Sequence, residues 1–368
     1  MNPRILRVLL AFGVVLAASR SSAQVTPAAG GTPPDDTPSV RVGFTIFTDF
    51  TYTDKPTITD ADGNVVHQNA FNVARSYINI TGNLSHLVAF RITPDITREG
   101  GTGSSLAGSL TFRVKYVFGQ LNLDDWLTHG SWVRLGAHQT PYIDFMEGVY
   151  RYRFQGQVFE EREGFMTSSD FGLSARYNFP GNYGEVHAGV YNGDGFTRAE
   201  ANDQKAFQVR ATVRPFPLGG AWKGLRLTGF YDADRYVKHG PRNRFIANAI
   251  FEHKYANAGF DWLNAKDRTS VTRPEVKAQG WSLWATPKFR PLDESKSGFE
   301  ALLRYDDLKP NKDVDVHKKR TIVGLSYWFP LLRGPSAALL ADFEKVDYDT
   351  ALSRPNERRY ALHALLNF

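Results

Sequence analysis

The chain has 368 residues, 44 Lys+Arg against 38 Asp+Glu, no cysteine and 13% aromatic residues, with a negative mean hydropathy. The lack of cysteine excludes a disulfide framework and thiolate metal sites, and the modest positive balance, halved once Arg4, Arg7 and Arg20 are set aside with a leader, argues against a nucleic-acid partner. Many aromatics at low hydropathy suit strands that are apolar at alternate positions only.

Arg4 and Arg7 precede an apolar run from Val8 to Ala18, and Ser21-Ser22-Ala23 follows it, the order of a secretory signal peptide over residues 1–23. That run is too short to span a bilayer as a helix, so any membrane insertion is expected through strands. Residues 24–39, rich in Pro, Gly, Thr and Asp, read as a flexible tail. Alternation with a period of two then begins. Val40, Val42, Phe44, Ile46, Phe50 and Tyr52 alternate with Arg41, Gly43, Thr45, Asp49 and Thr51. Leu110, Phe112, Val114, Tyr116 and Phe118 alternate with Thr111, Arg113, Lys115 and Gly119, and Phe207 to Val213 alternate with Gln208, Arg210, Thr212 and Arg214.

Strand signals start near residues 40, 70, 87, 110, 131, 170, 185, 205, 224, 243, 255, 278, 298, 319, 336 and 357. Those near 70, 243 and 255 alternate poorly, and no amphipathic helix stands out. An even series of about 16 strands predicts an all-β transmembrane antiparallel barrel over residues 40–368, located in the cell outer membrane; if its first strand rises from the periplasm, the links after odd-numbered strands should be the long outer loops. Long polar segments fall after odd-numbered strands: Asp54 to Asn69, Arg98 to Ser109, Gly193 to Gln204, Asp267 to Ala278 and Lys309 to Lys318. Phe179-Pro180, Phe216-Pro217, Phe289-Arg-Pro291 and Phe329-Pro330 close even-numbered strands, which places these aromatics at one interface. The final stretch, Glu357 to Phe368, sets Tyr360, Leu362, Ala364, Leu366 and Phe368 on one face and Arg359, His363, Leu365 and Asn367 on the other, and is expected to pair back to Val40–Tyr52.

Residues 144–169, after the fifth strand, form a long connection carrying Tyr, Phe and both signs of charge. A loop of this length and composition can fold into a wide lumen and narrow it; a solvated outer loop is the plainer reading.

Arg134-Leu-Gly-Ala-His-Gln-Thr-Pro-Tyr142, Phe145-Met146-Glu147 and Gly189-Val-Tyr-Asn-Gly-Asp-Gly195 resemble the central stretch of the phosphate-selective porin family of Gram-negative outer membranes. The resemblance implies a sixteen-stranded barrel, a homotrimer, and a constriction built from the inward-folded third outer loop and basic side chains. Phe368 resembles the terminal signal read by the barrel insertion machinery. Gln139 stands where such porins carry a Lys, and Gly148 where they carry an Arg, so two positive charges are missing near the expected constriction.

Strand alternation points Arg113, Lys115, Arg134 and His138 into the lumen, and the loop adds Arg151, Arg153 and Arg162 against Glu147, Glu160 and Glu161. Each has the ordinary alternative of a solvated lumen charge. Together they suggest facing basic and acidic walls, weakly anion-preferring at most. No HExxH or HxxxH pattern, nucleotide loop or linked Ser–His pair is present, so no catalytic residue, metal or cofactor is assigned. The reading is a porin passing small hydrophilic solutes or anions, with the lipid bilayer and lipopolysaccharide as surroundings. A secreted β-sandwich binding protein and an outer-membrane barrel enzyme are the alternatives.

Overall fold

The computed structural model describes residues 36–101, 103–289, 298–331 and 335–368. The signal peptide, most of the tail, and Arg290-Pro291 lie outside these. Sixteen antiparallel strands close into one barrel: β1 (Ser39–Lys55), β2 (Asn69–Asn83), β3 (Val88–Arg98), β4 (Leu110–Asn122), β5 (Trp132–Gln139), β6 (Ser169–Asn178), β7 (Gly184–Tyr191), β8 (Ala206–Val213), β9 (Leu225–Val237), β10 (Gly240–Glu252), β11 (Ala256–Asp267), β12 (Val276–Pro287), β13 (Gly298–Lys309), β14 (Lys318–Trp328), β15 (Ser336–Tyr348) and β16 (Glu357–Asn367). A small hairpin, Ile58–Thr59 with Val65–Val66, decorates the first outer loop. The barrel closes where β1 pairs with β16, Tyr52 opposite Tyr360 and Ile46 opposite Leu366, and Phe44 and Phe368 exchange backbone hydrogen bonds of 2.9 and 3.0 Å. Closure removes both sheet edges, leaving no unpaired ladder to the lipid.

The outer face is an apolar belt. Leu135, Leu173, Leu283, Leu325, Leu362 and Leu366 are all exposed on it, while the residues between them turn inward. Exposed Phe216, Phe289 and Phe329 cluster at the end of the barrel that holds Phe368 and the shorter turns, as the shared parity of the Phe-Pro turns requires.

Two expectations change. Strand β4 does not hold one phase: Thr93 faces Tyr116 but Pro94 faces Val114, so Lys115 is an extra residue in a β-bulge. Pro94 has no N–H to give the ladder, and the bulge sits opposite that gap. Past it the phase inverts, so Tyr116 and Phe118 point inward and are buried, while Val117 points out. The lumen is also less polar than anticipated. Phe230, Ile246, Ile250, Leu263, Trp284, Leu302, Leu308, Ile322, Trp328, Leu340 and Leu365 turn inward from β9–β16 and join one buried apolar cluster with the loop after β5. The poor alternation of β10 follows from this, because Ile246 and Ile250 face the loop while Phe245 faces the membrane. In β2 the cause is a bulge, Phe47 pairing with Arg75 but Thr48 with Val73.

Candidate constriction and its vestibules

The loop leaves the wall at Thr140 and returns at Ser169, starting a few residues earlier than the sequence suggested. It contains two helices, α1 (Pro141–Tyr150) and the single turn α2 (Phe159–Arg162). Pro141 occupies the first turn of α1, where a missing N–H costs nothing, and Tyr142, Met146 and Val149 with Ile143 and Tyr150 make the buried stripe. That helix was hidden in the sequence by Gly148 and by aromatics that also suit a strand. A narrow neck holds the loop's two ends: Thr140 N donates to Ser168 O at 3.3 Å and Thr140 Oγ1 to Thr167 O at 2.5 Å.

From the neck the loop crosses the lumen and ties to the opposite wall. Tyr142 donates to Asp261 at 2.5 Å, and Tyr152 to Glu300 at 2.9 Å. Arg304 donates to Gln157 O at 2.9 Å, and Gln155 to Asp342 at 2.8 Å and Glu344 at 3.0 Å. Arg162 grips both oxygens of Glu344 at 3.0 and 2.9 Å, a carboxylate also reached by Arg320 and Arg359. Lys318 and Arg320 hold Glu163 at 2.6 and 3.2 Å. Aromatic contacts complete the join, with Tyr152 and Phe154 edge-on to Trp328 and Tyr150 edge-on to Trp284.

Among the ten candidate charges, the structure gathers Lys115, Glu147, Arg153 and Glu161 into one buried group. Arg153 lies 2.6 Å from Glu147 and 3.8 Å from Glu161, and Lys115 rests over the rings of Tyr77 and Tyr116. Glu160 and Glu161, adjacent in sequence, have opposite surroundings. Burial raises the Glu160 carboxyl well above its ordinary range, with Asp261 adding repulsion. Burial acts the same way on Glu161, but Arg153 and Lys115 outweigh it and hold its carboxyl below the ordinary range. Arg151 lies over Trp328 and 3.7 Å from Glu300. Arg162 belongs to the far latch, and Arg113 shares Asp95 with Arg75 at 3.0 and 2.6 Å.

Arg134 is sandwiched against Trp132 and Phe118, donates to Gln120 at 2.8 Å and Gln139 at 3.1 Å, and is buried. His138 Nδ1 lies 2.8 Å from Gly136 O, which can only accept, so Nε2 accepts from Ser174 Oγ at 2.7 Å. His187 reaches the same hydroxyl at 3.2 Å. This is a Ser–His pair on neighbouring strands, yet Ser174 is 2% exposed and lines neither cavity described below, so it ties the wall together.

The open space lies on either side of the loop. One cavity of about 440 Å³ sits between α1 and β6–β9, at the end of the barrel with the 179–183 turn. Arg176, Arg210, Arg214 and Arg226 line it, against Asp144 and Glu185. Glu185 serves both Arg176, at 3.0 Å, and Arg210, and Arg226 is paired with Glu252. Among the described residues Arg214 has no carboxylate within 4 Å. A second cavity of about 240 Å³ lies toward β1, β2 and β16, with Arg75, Arg153, Arg162 and His363 against Asp49. The arginines of the larger cavity were missed because alternation shows that Arg210 faces inward but not at what height, nor which inward residues the loop leaves uncovered.

No family model and no curated protein sequence matches the chain. Solved structures do. The chain is similar to the loop L8 deletion mutant of OmpT, an outer membrane protein of Vibrio cholerae, at 14% identity and TM-score 0.60, over 90% of this chain and 100% of that one. The trimer form of in-vitro folded OmpT matches at 12% identity and TM-score 0.58, over 90% and 100%. The outer membrane channel DcaP of Acinetobacter baumannii matches at 13% identity and TM-score 0.55, over 93% and 100%. The shared feature is the fold, a closed outer-membrane β-barrel, and with its apolar belt the chain belongs in that membrane.

Proposed function

We propose that this barrel is a porin through which small anions diffuse passively, its preference set by the basic cavity beneath α1. The observation that carries this reading is the convergence of Arg176, Arg210, Arg214 and Arg226 on one space that Asp144 and Glu185 only partly neutralise. Fixed positive charge in a confined, low-dielectric passage lowers the entry cost of anions and raises that of cations. Phosphate, carboxylates and chloride all fit the chemistry. Reversal potentials across a planar bilayer under a KCl gradient test it. The expected result is chloride preference, weakened or inverted by the pair Arg214→Glu and Arg226→Glu; strong cation preference in the unaltered protein overturns the reading.

The low wall β5–β8 supports a trimer. Strands β5, β7 and β8 have 8 residues and β6 has 10, against 17 in β1. Eight tilted residues rise only about 20 Å, short of an apolar band about 25 Å tall, so this side is suited to face another copy. Leu135 and Leu173 lie opposite each other on its outer face. The chain has no cysteine, so Leu135→Cys gives one thiol per subunit. Cross-linking between copies is expected; labelling by a lipid-soluble reagent with no cross-link counts against it.

A further inference from the structure

We propose that the outward face of β11–β16 carries a docking collar for phosphate groups of the glycolipid that forms the outer leaflet, lipopolysaccharide. Lys266, Lys277, Lys309, Lys319, Lys345 and Arg358 come one from each of these six consecutive strands, all near the end bearing the longer loops. Each lies on the membrane-facing side of its strand, because its sequence neighbours on the opposite face, among them Ala265, Ala278, Leu308, Arg320 and Val346, are buried in the lumen. The cations sit level with one another. Lys266 is directly across from Lys277, and Lys345 directly across from Arg358. Lys309 pairs with Gln279, two residues from Lys277, and Lys319 pairs with Asp347, two residues from Lys345.

Directly opposed like charges destabilise a sheet, and here that happens twice in one row. The carboxylates nearby relieve it only in part. Glu275 is shared by Lys266 and Lys277 at 2.8 and 3.7 Å, Asp315 serves Lys309, Asp347 serves Lys345 at 2.8 Å, and Asp54 serves Arg358. Lys319 stands between Asp307 and Asp347 on the neighbouring strands, yet among the described residues neither carboxylate comes within 4 Å of its ammonium. Most of the cations remain open to the outside, Lys266 and Lys277 each 43% and Lys345 46% exposed at the side chain.

Position identifies the partner. Below the row, Trp262, Trp281, Tyr305 and Tyr360 form the aromatic level that marks the boundary of the hydrocarbon, with Trp281 and Tyr305 at 5.4 Å and Phe343 and Tyr360 at 5.2 Å. The collar therefore stands about 7–13 Å further out, two to four residues along a strand, at head-group depth. Among the described residues, the opposite ends of the same strands present Phe299, Tyr327, Leu339 and Leu366 on their outer face, and the exposed cation there is Lys254 in the β10–β11 turn. A row of six strand-borne cations at this level matches a leaflet whose lipid carries phosphate monoesters. The proposal rests on the orientation of the barrel but not on its permeation, and binding is read without any current.

The experiment uses the full-length protein purified in detergent, with bisphosphorylated lipid A in mixed micelles as probe, its dephosphorylated form as control, and phosphatidylglycerol vesicles for generic anion attraction. The expected result is binding of the bisphosphorylated form that falls roughly fivefold per cation removed, the weight of one basic side chain at an anionic lipid surface, hence about a hundredfold in Lys277→Gln/Lys319→Gln/Lys345→Gln. Lys205→Gln, off the arc, should leave it unchanged. Equal binding of the dephosphorylated lipid or of phosphatidylglycerol, unchanged binding by the triple variant, or a change in subunit association in place of lipid binding overturns the proposal. Heat-modifiability on gels confirms that the variants remain folded barrels.

Discussion

Gly148 is the residue on which bore and selectivity can be adjusted most directly. It lies inside α1, where glycine costs about 1 kcal/mol relative to alanine, and nothing stands within 4 Å of where a Cβ would point. No packing demand explains the glycine, and it lines the larger cavity. Gly148→Ala is expected to stabilise the loop by about 1 kcal/mol with little effect on current. Gly148→Arg is expected to lower single-channel conductance and increase chloride preference; an unchanged conductance would separate this cavity from the conducting path. Glu160 offers a pH test. The folded protein holds its proton more tightly than the unfolded chain, because burial, with repulsion from Asp261 and Asp306, outweighs a backbone hydrogen bond and Arg304. Its contribution to stability is therefore complete below the ordinary carboxylate value of 4.5 and is lost as pH rises toward the raised one. Thermal unfolding in detergent across pH 4 to about 9 should show Glu160→Gln gaining on the parent protein with rising pH. A constant difference would mean that Glu160 is not protonated in the fold.

At the scale of elements, the latch between the loop and β13–β16 concentrates on Glu344, which meets Arg162, Arg320 and Arg359. Glu344→Gln leaves three guanidinium groups without their common counter-charge, a loss on the order of 3–5 kcal/mol when such a pair is buried. The expected readouts are a lower temperature of conversion on heat-modifiability gels and larger current fluctuations from a freed loop. Strand positions were legible because a two-residue period survives wherever one face meets lipid, and the observed strands begin within three residues of where alternation places them. The bulge at Lys115 was not legible, since one inserted residue changes the phase without changing composition. The inward apolar residues of β9–β16 were illegible for another reason. A period shows that two faces differ, not that Leu302 and Ile322 will find Phe154 and Tyr152 across the lumen.

For the whole molecule, the candidate site divides in the same way. The loop was identifiable from length and composition, but its start was placed at residue 144 rather than at Thr140, and its charges proved to be chiefly anchors. Arg176, Arg214 and Arg226, which face the open space, come from unremarkable inward positions whose role depends on where the loop comes to rest. Closure itself gives a test. Phe368 hydrogen-bonds Phe44 and packs on its ring at 5.3 Å, and Gly43 lies so close that a Cβ would meet Phe368 O at 2.5 Å. Gly43→Val is expected to open this junction and reduce the yield of SDS-resistant barrel, measured against Gly229→Val, where a Cβ meets nothing within 4 Å.

The loop's attachments also bear on mechanics. A wide ring of strands in a bilayer under lateral pressure is most easily deformed into an oval, because flattening needs only small changes of angle between neighbours. A rigid member fixed at the β5–β6 neck and again at β13–β16 lies along a diameter and works as a cross-brace against that mode. Cutting the brace should do more than widen the passage. It should soften the barrel along that axis, so that conductance begins to respond to membrane tension, which the braced barrel resists.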